Sequence, residues 1–178
     1  MNSSANKKIA ALISEITVTF DGVSREGGVS LHEAAGIDDY ESSDDERAVN
    51  RAKDTDTKWQ DVPDEDIEYG YVVLNYLDPK GFRYYIPAYM IWVLNNLENC
   101  ETQSMTFDAV AYTFVGYKSA DQKAKCSLLT VKQSKAIAHF LRFWVDHTEK
   151  SLAELGLDYD QADDERQQSL NYYWSQFL

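Results

Sequence analysis

At four places ahead of a plausible helix, a serine or threonine stands three residues before a glutamate or glutamine. The four are Ser30-Leu31-His32-Glu33, Ser43-Asp44-Asp45-Glu46, Thr130-Val131-Lys132-Gln133 and Ser151-Leu152-Ala153-Glu154. In such a capping box the hydroxyl accepts the N–H of the third helical residue, and that residue's side chain reaches back to the cap N–H. Two of the donors orphaned at a helix start are thereby satisfied. One box is weak evidence, but four, each ahead of a plausible helix, predict a mainly α fold. An α-rich α+β fold is the alternative. The expected architecture is a single compact helical domain with one or two short extended segments, around residues 82–86 and 112–115.

The most apolar and aromatic stretch is Phe82 to Leu94, which follows the turn signal Asp78-Pro79-Lys80-Gly81. Phe82 to Ile86 is β-prone, and a residue before proline is pushed to extended geometry. Pro87 suits the first position of a helix, and Met90, Ile91, Leu94 and Leu97 then fall at helical spacing. The reading is an extended segment that enters the core and turns into a buried helix. In the block Met105 to Val115 the periodicity is ambiguous, and the β-branched and aromatic residues at its end favour strand there.

Around this centre the spacing predicts helices over about Asn6–Phe20, from Leu31 to Ile37 or Tyr40, over Asp44–Thr55, and from Pro63. A long amphipathic helix follows Thr130, a short helical turn spans Ser151–Gly156, and a last helix covers about Ala162–Phe177. Residues 1–5 read as a flexible tail, 6–178 as one globular domain, 41–62 as a surface acidic flap, and 158–178 as an added C-terminal helix. Tyr117 to Lys125 reads as a polar loop. Trp59 stands alone in an acidic stretch and is expected to anchor the flap on the core.

The net charge of −13 is unevenly placed. Between Asp38 and Glu68 thirteen acids meet only Arg47, Arg51, Lys53 and Lys58, a local charge of −9. Such a field repels phosphate backbones and anionic lipid, so direct nucleic-acid and membrane binding are disfavoured. It attracts a basic partner protein. The plainer explanation of an acidic surface is solubility. The N-terminus has no signal-peptide core, and no apolar stretch is long enough to span a bilayer. Cys100 and Cys126 read as free, inert thiols in a reducing compartment. The expectation is a cytoplasmic protein.

Chemistry-bearing motifs are sparse. His32-Glu33-Ala34-Ala35-Gly36 begins like a zinc-protease helix, but glycine stands where the second histidine is needed. No cofactor or metal site is expected. Glu33, Asp38 and Asp39 form an acidic group ahead of Tyr40, and Arg83, beside the apolar stretch, needs a carboxylate, with Asp38 or Asp39 as the expected partner. Asp38, Asp39, Tyr40, Trp59 and Arg83 are the candidate binding residues.

Several of these residues resemble a bacterial family recorded only as a domain of unknown function. Its features stand here as Ser30-Leu31-His32-Glu33-Ala34, Ile37-Asp38-Asp39-Tyr40, Trp59, Asp66 and Gly81-Phe82-Arg83-Tyr84-Tyr85-Ile86-Pro87-Ala88-Tyr89. Ser127-Leu128-Leu129-Thr130, Gln133 and Phe140-Leu141 follow. The resemblance covers roughly residues 8–147 and implies a bacterial origin but no mechanism. Small acidic proteins of this kind are similar to toxin-neutralising immunity proteins, an analogy of class only.

The expected function is a protein-binding, immunity-like module whose acidic flap docks a basic partner, with Trp59 as a hot spot inside a charged rim. The alternatives are an enzyme with Glu33, Asp38, Asp39, Tyr40 and Arg83 around one pocket, and a nucleic-acid mimic.

Overall fold

Asp78 organises the centre of the molecule. Its Oδ1 accepts the Gly81 N–H at 2.8 Å, capping the helix that starts at Pro79, and also accepts the Val29 N–H at 2.9 Å. The loop before residue 30 is thereby fastened to the head of the central helix. The approach is so close that a Cβ on Gly81 would lie 2.3 Å from the Val29 carbonyl oxygen.

The computed structural model describes residues 3–41, 43–97, 105–115, 120–159 and 164–178. Among them are nine α-helices: α1 Ser3–Thr19, α2 Leu31–Asp38, α3 Asp44–Arg51, α4 Asp64–Tyr69, α5 Pro79–Asn96, α6 Met105–Val115, α7 Ala120–Lys125, α8 Val131–Glu154 and α9 Glu165–Tyr172. Short 3-10 turns lie at Trp59–Asp61, Val72–Asn75 and Trp174–Phe177, and no strand occurs among the described residues. The fold is mainly α.

α5 corrects the first expected extended segment. Phe82 to Ile86 is helical, and Pro87 lies inside the helix rather than at its start, where Pro79 stands instead. Phe82, Tyr84, Tyr85, Ile86, Tyr89, Met90 and Val93 are all buried, so the helix is enclosed on most sides. That burial outweighs both the β-propensity of the segment and the roughly 3 kcal/mol that an internal proline costs. Residues 112–115 are likewise helical, because Val110 and Phe114 fall on one buried face of α6.

The other elements cover α5. α1 packs on both α5 and α8, burying Leu12, Ile16 and Phe20. α6 and α8 meet through a run of rings from Trp92 to Phe107, Trp144, Phe140 and Phe114. The C-terminal turn closes on them: Trp174 sits edge-on to Phe114, and the Ser169 hydroxyl and Trp174 Nε1 both donate to the Phe114 carbonyl.

Helix boundaries differ from expectation in several places. α1 begins at Ser3, inside the expected tail. α3 stops at Arg51, and α4 stops before Gly70, whose position leaves no room for a Cβ beside the Asp66 carbonyl. Residues 120–125 of the expected loop are helical. Ser151 lies within α8 and starts no helix, whereas the boxes at Ser43 and Thr130 are complete. Cys126 is buried; Cys100, residues 117–119 and the expected start of the last helix at Ala162 lie outside the described residues. No helix among the described residues is long and apolar enough to cross a membrane.

Candidate functional site

Glu33 faces inward on α2, next to the buried Leu31 and Ala34, and is itself 0% exposed. Its Oε2 accepts the Ser30 N–H at 3.3 Å, the backward half of the capping box, while Ser30 Oγ has no partner. The charge is answered from α3. Arg47 reaches Oε1 through Nε at 2.9 Å and Nη2 at 2.8 Å, and Arg51 reaches Oε2 through Nε at 2.8 Å and Nη2 at 2.7 Å. Planar guanidinium forks suit such two-pronged recognition of a carboxylate. Burial pushes the Glu33 carboxyl pKa up, but the hydrogen bonds from Arg51, Arg47 and the Ser30 N–H outweigh it and hold it below the ordinary carboxylate range.

α2 ends in a Schellman arrangement, with Glu41 N–H on the Gly36 carbonyl at 2.8 Å and Tyr40 N–H on the Ile37 carbonyl at 3.2 Å. The left-handed position that usually falls to glycine is held by Tyr40, with φ +65°. Its ring finds no cover and is 91% exposed. Beside it the Asp38 carboxylate pushes the Tyr76 phenol pKa up. Glu41 accepts the Asn50 amide at 2.6 Å, and Asn50 packs so tightly on Gly36 that a Cβ there would lie 2.2 Å from Nδ2. α2 and α3 are thus locked together on both sides of Tyr40.

The outer surface here is rich in acids. Asp39, Glu41, Asp44, Asp45 and Glu46 are exposed, while the two cations of the same stretch, Arg47 and Arg51, are turned onto Glu33. The Lys53 ammonium donates to Asn50.

The rear of the flap is tied down by a second polar cluster. The Arg25 guanidinium lies over the Tyr84 and Tyr85 rings and donates to the Tyr85 hydroxyl, and the Tyr84 hydroxyl donates to Asp56 at 2.8 Å. Asp54 receives the His32 N–H at 3.1 Å and lies 2.9 Å from His32 Nδ1. Burial above all, helped by the Asp56 charge, drives both tyrosine pKa values far above their ordinary value, so the two phenols stay protonated. These contacts fasten residues 54–56 to α5 and to the start of α2.

Of the expected site residues, Asp38, Asp39 and Tyr40 stand together at the end of α2. Trp59 does anchor the flap: it is 3% exposed and its Nε1 donates to the Phe20 carbonyl at 2.9 Å. A ring so placed is not offered to a partner, which removes it as a surface hot spot. Arg83 corrects the expected pairing. It forms no ion pair with Asp38, Asp39 or any other acid among the described residues, and its buried Nε has no acceptor. The open groove over Glu33 is lined by Asp44, Arg47, Ala48, Arg51 and Ala52, and the five groups of the enzymatic alternative do not converge on it. Among the described residues no group of three or more His, Cys, Asp or Glu side chains is placed to hold a metal ion.

The Glu33 clamp escaped the reading of the sequence, although Arg47 and Arg51 at i and i+4 on an otherwise polar helix are the signal for it. The Arg25 cluster joins residues 60 positions apart and leaves no local trace.

The family model described as "Family of unknown function (DUF6714)" matches residues 8–178, so the match runs on through the C-terminal helix. No curated protein and no solved structure matches the chain.

Proposed function

The chain belongs to the DUF6714 family, whose function is unknown, and from that premise we propose that it is a protein-binding module whose acidic surface at the α2–α3 corner takes a basic partner protein. The observation that carries this reading is Tyr40. A large aromatic side chain is held in a strained backbone position, almost wholly in solvent, among exposed carboxylates. A non-glycine residue there costs about 1–2 kcal/mol and gains no packing. A tyrosine surrounded by acids suits a cationic side chain, which gains from the ring face and from the carboxylates at once. The excess of acids around it speeds encounter with a positive surface. An immunity-like role, in which the basic partner is a toxin, is the specific form of this reading, in a bacterial cytoplasm.

The experiment is capture of partners from a bacterial lysate at low and high salt, followed by direct affinity measurement on the captured protein. Asp39→Asn/Asp44→Asn/Asp45→Asn is compared with a control on the far part of α8 and beyond, Glu149→Gln/Glu154→Gln/Asp158→Asn. A loss of about tenfold for the first set and less than twofold for the second supports the reading. Equal losses for both sets, or no cationic partner at low salt, overturn it.

A further inference from the structure

We propose that Glu33 is a positioning residue for that surface: it draws Arg47 and Arg51 inward, so that the docking face is not neutralised by its own cations. This rests on the reading of the α2–α3 corner as a docking face for a basic partner.

α3 carries Asp44, Asp45 and Glu46 in its first turn and Arg47 and Arg51 in its later part. On an isolated helix Arg47 would face Asp44 at i−3, an ordinary stabilising surface pair. In the folded chain neither arginine pairs with an acid of its own helix, and Glu33 receives both. The physical reason is the environment. Glu33 is fully buried and has four lone-pair sites to satisfy, while the acids of α3 are exposed. A buried charge without a partner is far more costly than an exposed one, so both guanidinium groups are drawn to it.

Burial of an ion cluster is a weak device for stability, since apolar residues of similar size often serve as well or better. In a helix that carries both arginines, however, the buried carboxylate has a second consequence. The two arginines retain contact with solvent, at 38% and 42% side-chain exposure, yet their donors point at Glu33 and one of their two charges is cancelled. The exposed carboxylates of Asp39, Asp44 and Asp45 are left to a partner, while Glu41 and Glu46 keep their charge at the surface but accept from Asn50 and Ser43. The local charge of the cluster is +1; it becomes +2 in Glu33→Gln, and 0 in Arg47→Gln or in the triple variant Glu33→Gln/Arg47→Gln/Arg51→Gln.

The test measures the affinity of a fluorescent deca-arginine peptide for each protein by anisotropy, at about 20 mM salt, where surface charges are little screened. Glu33→Gln is expected to bind about fivefold more weakly than the wild type, and the triple variant to recover wild-type affinity or exceed it. A merely structural role predicts no such recovery, because the triple variant lacks the whole ion cluster. Wild-type binding by Glu33→Gln, or a triple variant as weak as Glu33→Gln, overturns the proposal. If circular dichroism shows Glu33→Gln unfolded, Arg47→Gln decides: tighter binding supports the proposal and unchanged binding overturns it. The variant Asp39→Asn/Asp44→Asn/Asp45→Asn, run beside these, separates the two ideas. If it binds the peptide as the wild type does, the docking face itself is wrong. If it binds weakly while the Glu33 series does not move, only the role of Glu33 is wrong.

Discussion

Arg51 grips Glu33 with both prongs of its guanidinium, Nε lying 2.8 Å from Oε2 and Nη2 2.8 Å from Oε1. Removing the carboxylate while keeping both arginines leaves two inward-pointing cations without an answer. Glu33→Ala is therefore expected to lose about 2–3 kcal/mol, less than for a fully buried pair because both guanidinium groups reach water. Urea denaturation followed by circular dichroism measures it. A loss under 0.5 kcal/mol, the scale of an ordinary surface substitution, contradicts the assignment.

The same carboxylate gives stability an acid dependence with a definite sign. Burial raises the Glu33 pKa and that of Asp164, but hydrogen bonds from Arg51 and Arg47 in one case, and from Arg166 in the other, bring both below their ordinary values of 4.5 and 3.8. A depressed folded-state pKa adds stability that is whole above the unfolded value and drains away as pH falls through the folded one. Stability should thus be flat with respect to these two groups above about pH 5 and decline below pH 4.5. Glu33→Gln should show a shallower decline than the wild type. Melting temperatures of both proteins from pH 7 down to pH 3 check it, and parallel curves would count against the clamp.

Tyr40 predicts an opposition between stability and binding. Glycine at this position relieves the left-handed strain and removes no packing, so Tyr40→Gly should raise stability by about 0.5–1 kcal/mol. The same change should weaken capture of the basic partner. Thermal melts and binding to the captured protein test the two halves. A variant that is destabilised, or that binds unchanged, refutes its half.

Gly81 makes a prediction about the fold alone. A methyl group there meets the Val29 backbone carbonyl, which cannot rotate aside as a side chain can. Gly81→Ala should cost about 2–4 kcal/mol, despite alanine's higher helix propensity. Gly22→Ala, at φ +68° with open space around it, should cost only the backbone strain of about 1 kcal/mol. Denaturation midpoints of the two variants should rank in that order.

The elements that rest on local chemistry were legible in the sequence. The Ser43 and Thr130 boxes mark real helix starts, the i, i+3, i+4 pattern of Ile137, Phe140, Leu141 and Trp144 gives the buried face of α8, and the isolated Trp59 does pin the flap. The errors arise where distant packing overrides local preference. Phe82 to Ile86 is β-prone in isolation but lies in the middle of the molecule, where a continuous helix buries every ring. Local sequence points to Arg83, at the rim of the aromatic stretch, as the arginine that answers an acid of α2. It is supplied instead twice over by α3, on Glu33 rather than Asp38 or Asp39. The capping box occupies one carboxylate oxygen of Glu33 and leaves the charge unanswered. Of the candidate site, Tyr40 and its neighbouring aspartates could be named in advance, but the left-handed backbone that exposes the ring could not.

The most direct measurement maps where a cationic ligand sits. Deca-arginine peptide is titrated into ¹⁵N-labelled protein, and amide shifts are followed along the chain. The account predicts the largest shifts between Asp38 and Arg51, with Tyr40 among the first to move and the whole pattern erased by high salt. Shifts spread evenly over the surface, or centred on the acids from Glu149 to Asp158, would contradict it.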